Sequence, residues 1–246
     1  VFDHGWADAY ERAGGRYYPK LQVASPFSPV PGPRLLVHPD AGIGPQALAQ
    51  GLAQACGQMD LSSVHVTFCT EPEWQVLGEA GWLQRIGTQF HWANQGYGSF
   101  DEFLGALASR KRKQIKRERR DAAGSGYVLK TLRGHEITPR HWQAFHRFYL
   151  STTDKKWGRS AYLTRAFWPA LAEALGDRVV LMVAEQDGTP VAGALNLLGE
   201  DALYGRNWGC LVDAPFLHFE LCYYRAIDFA IEHKLPRVEA GAQGEH

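Results

Sequence analysis

The chain has 246 residues, 45% hydrophobic, 12% aromatic and 21% charged, with 26 Lys/Arg against 26 Asp/Glu. That much apolar surface offsets the ordering entropy of folding and excludes disordered, collagen-like and fibrous classes. At about 150 residues per domain, the length fits one large or two modest domains. Cys56, Cys69, Cys210 and Cys222 form no CxxC pair and are too sparse for a disulfide framework, which points to a reducing, cytoplasmic setting. The longest early uncharged stretch, residues 41–59, holds four glycines, a proline and four glutamines, so no membrane span is expected. Val1 and the strand-like approach to His246 read as the interior of a longer protein.

In chain order, the spacing of apolar residues predicts strands over 17–24 and 34–38, a helix over 45–56, a strand over 63–69, a short helix over 71–79 and an extended piece over 82–92. Phe100, Phe103, Leu104, Leu107 and Ile115 recur at helical spacing, so residues 99–120 read as one helix with Ser99 as N-cap. After the Gly124-Ser-Gly126 breaker come a strand over 126–132 and helices over 139–151 and 164–175. Runs 178–185 and 190–198 flank an Asp-Gly turn and read as a hairpin. A third strand follows over 202–208, then an amphipathic helix over 216–233 and a last strand over 237–240. The expected class is α/β (α+β) in two units: a partial N-terminal domain over 1–98 and a second over 99–246. Ligands tend to bind where such a sheet switches direction, between the third strand and the last.

Charge is unevenly laid out. Residues 101–140 carry eleven Lys/Arg against five Asp/Glu, and residues 110–120 hold eight cations and one carboxylate. Lys111, Arg112, Lys116 and Arg117 are the anion-binding candidates, with tRNA as a partner. A plain solvated helix face is the competing reading.

The third strand is odd: Tyr204-Gly-Arg-Asn-Trp-Gly209 places two glycines, Arg206 and Asn207 where a buried strand would carry Val or Ile. A polar edge strand would look similar. Glu239 interrupts an apolar run, and Gln243, Glu245 and His246 follow it beyond the strand's end. His218 opens the last helix, where capping is the simpler role. No GxSxG, HExxH, Walker A or strand-borne GxGxxG motif is present, and no metal is expected.

Taken together, residues 109–120, Gly126-Tyr-Val128, 178–194, 204–209 and 238–246 resemble the acyltransferase domain of FemAB-like proteins, members of the GNAT superfamily associated with peptidoglycan biosynthesis or recognition. The resemblance implies two GNAT-like domains with mostly antiparallel sheets. It implies transfer from aminoacyl-tRNA or acyl-CoA to an amine, with a lipid-linked murein precursor as acceptor. In that frame Glu239 or Glu245 is the base with His246 as competitor, and Tyr204 or Tyr224 is the acid. Backbone N–H groups near Gly205 or Gly209 hold the oxyanion, while Arg206, Asn207, Trp208, His218 and Gln243 bind substrate. The connection over 209–218 departs from a glycine-rich pyrophosphate cradle, since Asp213, Phe216 and Leu217 would repel or crowd a CoA phosphate. The alternative is a non-catalytic module of the same fold that binds RNA or a cell-wall precursor.

Overall fold

The computed structural model describes residues 3–157 and 161–241, and the chain divides into two compact units, Val1–Thr88 and Gln89–His246. The first contains α1 (His4–Arg12), β1 (Leu21–Val23), α2 (Pro45–Gln58), β2 (Val64–Val66) and α3 (Glu71–Glu79). β1 and β2 pair in parallel, Leu21 opposite Val64. Leu35, Ala49 and Leu77 form the core of this unit, with Leu48, Leu52, Val66 and Trp82 packed around them.

The strand expected over 34–38 is irregular backbone. Its first two N–H groups are taken by a side chain: Arg34 N and Leu35 N donate to Glu73 Oε1 at 2.7 and 2.6 Å. The other oxygen of Glu73 accepts from Thr70 N and Oγ1, completing the box that starts α3. Burial alone would raise the Glu73 pKa, but donors from Leu35, Thr70 and Arg34 hold it below its ordinary 4.5. A depressed carboxylate contributes stability that is complete above its unfolded pKa and is lost as pH falls through the folded value. Glu73→Gln should therefore cost about 1–3 kcal/mol at neutral pH. It should also flatten the loss of stability below pH 4.5, as read by denaturant titration at several pH values.

The second unit runs β3 (His91–Ala93), α4 (Phe100–Ala106), α5 (Ser109–Ala123), β4 (Val128–Arg133), α6 (Pro139–Trp157), α7 (Phe167–Leu175), β5 (Val179–Gln186), β6 (Thr189–Leu198) and β7 (Ala202–Cys210). Next, α8 (Leu217–Phe219), a π-helical turn (Glu220–Tyr224) and α9 (Arg225–Glu232) follow without a break, and β8 (Arg237–Glu239) ends the sheet. Strand order is β3-β8-β7-β6-β5-β4, antiparallel except for the parallel β7–β8 pair. The fold class is thus the expected mixed, mostly antiparallel sheet flanked by helices. The division between units falls at 88/89 rather than 98/99, because β3 pairs with β8 and belongs to the second sheet.

The hairpin forms as read, with Asp187 and Gly188 both at positive φ, as a two-residue turn of right-handed twist demands. One face of the sheet carries Val180, Met182, Ala194, Leu203 and Val238 against Leu217, Leu221, Phe229 and Ala230. The other carries Val179, Leu181 and Leu195 against Trp142, Phe145, Phe148 and Trp168 of α6 and α7. Coverage on both faces explains why β5 is buried from Val179 to Glu185.

The single helix expected over 99–120 is two helices, because Leu107 turns extended at φ −86°, ψ 155°. The break lets α4 and α5 close on one cluster, Leu104, Ile115 and Tyr224, ringed by Phe100, Phe103 and Leu107. Arg112 bridges it by donating to the Gly105 carbonyl at 3.3 Å.

Gly209 sets how close α6 lies to the sheet. A Cβ there would sit 2.2 Å from the Phe148 carbonyl oxygen, a backbone atom that cannot swing aside. Thr152 Oγ1 donates to Trp208 O at 2.9 Å in the same contact. Gly209→Ala should destabilise the protein by at least about 1–3 kcal/mol in chemical denaturation, whereas Gly51→Ala, where a Cβ meets open space, should not destabilise it.

Candidate functional site

The parallel join of β7 and β8 puts Tyr204 opposite Glu239 and Ala202 opposite Arg237. Leu203 and Val238, the intervening pair, pack on the helix carrying Leu221 and Phe229, so alternation turns Tyr204, Arg237 and Glu239 to the opposite face. There they form one polar network. Arg237 Nε donates to Glu239 Oε1 at 2.8 Å, its NH1 to Asp201 Oδ2 at 2.7 Å and its NH2 to the Tyr204 hydroxyl at 3.4 Å. The Tyr204 hydroxyl donates to Asp201 Oδ1 at 3.3 Å. Glu239 is only 5% exposed, and its Oε2 has no hydrogen-bond partner among the described residues. His91 Nε2, across the antiparallel β3–β8 pair, comes within 3.8 Å of that oxygen.

Burial, then the charges of Asp201 and Glu239, push the Tyr204 pKa above its ordinary 10.0, so its hydroxyl keeps its proton at neutral pH. Gly205 matters for a steric reason. A Cβ there would meet the Glu239 carbonyl oxygen at 3.3 Å and Ala240 at 3.4 Å, so glycine lets the two strands approach beside the network.

Arg206 is not the cation beside Glu239; Arg237 holds that place. The β6–β7 register jumps from Leu195–Asn207 to Asn196–Gly205, leaving Arg206 as the extra residue of a bulge. It is exposed, with Tyr149 and Tyr162 as its ionisable neighbours. Asn207 is half-buried opposite Leu195. Trp208 leans to the helical face, its ring 5.1 Å from that of His218, which also meets Phe219 and Tyr223. Gly209 lies in the ladder opposite Gly193 and beneath Phe148, a packing position closed to an oxyanion.

Tyr224 stands apart from the network. It is buried on the π-helical turn, and its hydroxyl donates to Glu118 of α5. Burial first, and then Glu118, drive its pKa far up. Gln243, Glu245 and His246 lie outside the described residues.

On α5, Ile115, Glu118 and Ala122 form the buried stripe. Glu118 also accepts from Gln114 at 2.8 Å, so the lone acid of the basic run is a core acceptor. Of the four anion-binding candidates, Lys111 and Arg117 are exposed, Lys116 pairs with Asp101 at 2.8 Å, and Arg112 is engaged with Gly105. Arg119 is drawn inward, held by Glu220 at 3.2 Å and Asp228 at 2.5 Å, with its guanidinium 4.3 Å from the Phe100 ring centroid. A cleft of about 400 Å³ lined by Ser99, Phe100, Asp101, Leu104, Lys116 and Arg119 lies here, and both of its cations are already paired with carboxylates.

His91, Arg237 and Asp201 escaped the sequence reading. His91 sits in a three-residue strand at the end of a longer extended run, Arg237 looked like a strand opener, and Asp201 a turn residue. The carboxylate inside an apolar run was the one clue that a buried cation had to be near. No group of three or more His, Cys, Asp or Glu among the described residues is arranged to hold a metal, and no described helix is long and apolar enough to cross a membrane.

Removing Arg237 tests the network. Arg237→Ala strands the Glu239 carboxylate and should cost about 2–3 kcal/mol, less than a fully buried pair because the arginine is partly exposed. Arg237→Ala/Glu239→Gln should recover part of that loss in denaturant titration, because a neutral amide needs no cation.

The model of the FemAB-like family, described as peptidoglycan biosynthesis/recognition, matches residues 1–246. No curated protein matches the chain. Among solved structures it is similar to L-PGS from Bacillus licheniformis, with a TM-score of 0.53 and 11% identity over 79% of this chain and 56% of that one. It is also similar to the C-terminal domain of a putative lysylphosphatidylglycerol synthetase from Agrobacterium fabrum, with a TM-score of 0.50 and 11% identity over 80% of this chain and 59% of that one. The chain thus spans less than two thirds of either structure, and the likeness is one of fold.

Proposed function

The chain belongs to the FemAB-like family, and from that premise we propose that it is an acyltransferase of cell-envelope biosynthesis. It would move an acyl or aminoacyl group from an aminoacyl-tRNA or acyl-CoA onto an amine, with a murein precursor as acceptor. The observation that carries this reading is the register of β7 and β8: Tyr204 and Glu239 are direct partners on one face, where one buried oxygen of Glu239 has no hydrogen-bond partner among the described residues. The Agrobacterium fabrum structure, a domain of a putative lysylphosphatidylglycerol synthetase, supports aminoacyl transfer as the chemistry.

Acyl transfer to an amine needs a proton acceptor at nitrogen, a donor at the leaving group and stabilisation of the oxyanion. Glu239 has the first role. Arg237 fixes Oε1 and leaves Oε2 to take the amine proton as the nitrogen attacks the carbonyl. The C–N bond forms, and the bond from the acyl carbon to the donor's oxygen or sulfur breaks. Tyr204, kept protonated, gives its proton to that leaving atom. Arg206 and Asn207, next along β7, orient substrate, and the Gly205 backbone N–H is the candidate oxyanion donor. Gln243, Glu245 and His246 follow Glu239 along the chain and complete the assignment.

The test supplies labelled aminoacyl-tRNA or acetyl-CoA together with a lipid-linked murein precursor and measures label in the acceptor. Glu239→Gln should lower transfer by about 100-fold or more with the folded state retained, and Tyr204→Phe should lower it as well. Unchanged transfer by Glu239→Gln would remove the base assignment. Consumption of neither donor by the wild-type chain would remove the transferase reading.

A further inference from the structure

The outward face of α5 is used by no step above. Opposite its buried stripe of Ile115, Glu118 and Ala122 stand Arg110, Lys113, Arg117 and Arg120, all exposed. They are spaced three and four residues apart and so share one side of the helix. The array spans eleven residues, ten rises of 1.5 Å or about 15 Å. Among the described residues its single contact with a carboxylate is Arg120 Nε to Asp121 at 3.5 Å, between exposed groups where pairing is weak. Of the cations that serve the fold, Arg112 and Arg119 lie on other sides of the helix, while Lys116 borders the stripe and turns to Asp101.

We infer that this stripe docks the protein on an anionic lipid surface. A cluster of four or more Lys/Arg on one helix face is drawn to the negative potential of acidic headgroups, each cation near the surface contributing about a fivefold gain in partitioning. The face suits a plane of headgroups better than a nucleic acid, since its long cations project from a straight helix with no aromatic side chain among them to stack on a base. It also carries no apolar side chain, Ile115 and Ala122 being buried on the opposite stripe, so the attachment is electrostatic, reversible and salt-sensitive. The inference is independent of the acyl donor and of the roles of Glu239 and Tyr204.

The experiment is co-sedimentation of the full chain with vesicles of phosphatidylcholine alone and of phosphatidylcholine mixed with phosphatidylglycerol, at low and high salt, alongside gel-shift titration with unacylated tRNA. The expected result is binding to the mixed vesicles only, lost at high salt. Lys113→Glu/Arg117→Glu should weaken it by about 25-fold or more. Arg12→Glu/Arg178→Glu makes the same change in charge elsewhere and should weaken it far less. Failure to bind the mixed vesicles at low salt overturns the inference, as does equal weakening by the two double variants. Stripe-dependent binding of tRNA without binding of vesicles overturns it too, and would assign the face to RNA.

Discussion

The second unit is organised by the one parallel contact in its six-stranded sheet, the pairing of β7 with β8. Parallel neighbours cannot be joined by a tight turn, so the chain must cross over, and α8 to α9 is that crossover. The crossover fills one face with Leu217, Leu221, Phe229 and Ala230, which commits Leu203 and Val238 to that side. Alternation then sends Tyr204, Arg237 and Glu239 to the other face. The carboxylate buried there is met by Arg237, two residues earlier on the same strand, which shares that face and bonds to it.

The same crossover explains the strain gathered at its start. Phe216 enters at positive φ, and the helix passes through a π turn before becoming regular at Arg225. The turn carries Glu220 and Tyr224, which engage Arg119 and Glu118 of α5. Two adjacent residues of α5, one cationic and one anionic, thus meet complementary partners on the crossover, with Asp228 of α9 as a third. α5 is pinned by its own charge pattern, helped by Arg112 and Lys116, and Arg110, Lys113, Arg117 and Arg120 are left on its exposed side.

What could be read from the sequence followed from local periodicity. The Asp187-Gly188 hairpin, α3, the third strand and the amphipathic final helix all announce themselves through apolar spacing and turn chemistry, and they appear where expected. Long-range choices were hidden. The bulge at Arg206 depends on how β6 lines up with β7, and nothing in Tyr204-Gly-Arg-Asn-Trp marks which residue is extra. The strand over 34–38 was lost to a side-chain acceptor 38 and 39 residues away, and β3 is an edge strand of three residues that overlaps only the last two of an eleven-residue expectation. Tyr204 and Glu239 meet because both lie on strands flanking the switch in direction. The cation that meets Glu239 lies two residues away on the same strand, which no feature of residues 237–239 alone announces.

The break at Leu107 has a functional side. In one continuous helix, Phe100 to Leu107 and the cationic run would share an axis. Instead α4 folds its aromatic residues around Tyr224, while α5 buries Ile115, Glu118 and Ala122. For a helix carrying eight cations in eleven residues, this division is what permits stable packing. Its inward charges are matched one by one, by Tyr224 and Gln114 for Glu118 and by Glu220 and Asp228 for Arg119. Arg110, Lys113, Arg117 and Arg120 share a side that faces water, where their mutual repulsion is screened over roughly 8–10 Å of physiological salt. A fold gains nothing from holding such a row together. Approach of a surface of opposite charge relieves that repulsion further than salt does, so on the docking inferred above the outward stripe is a feature of association rather than of stability.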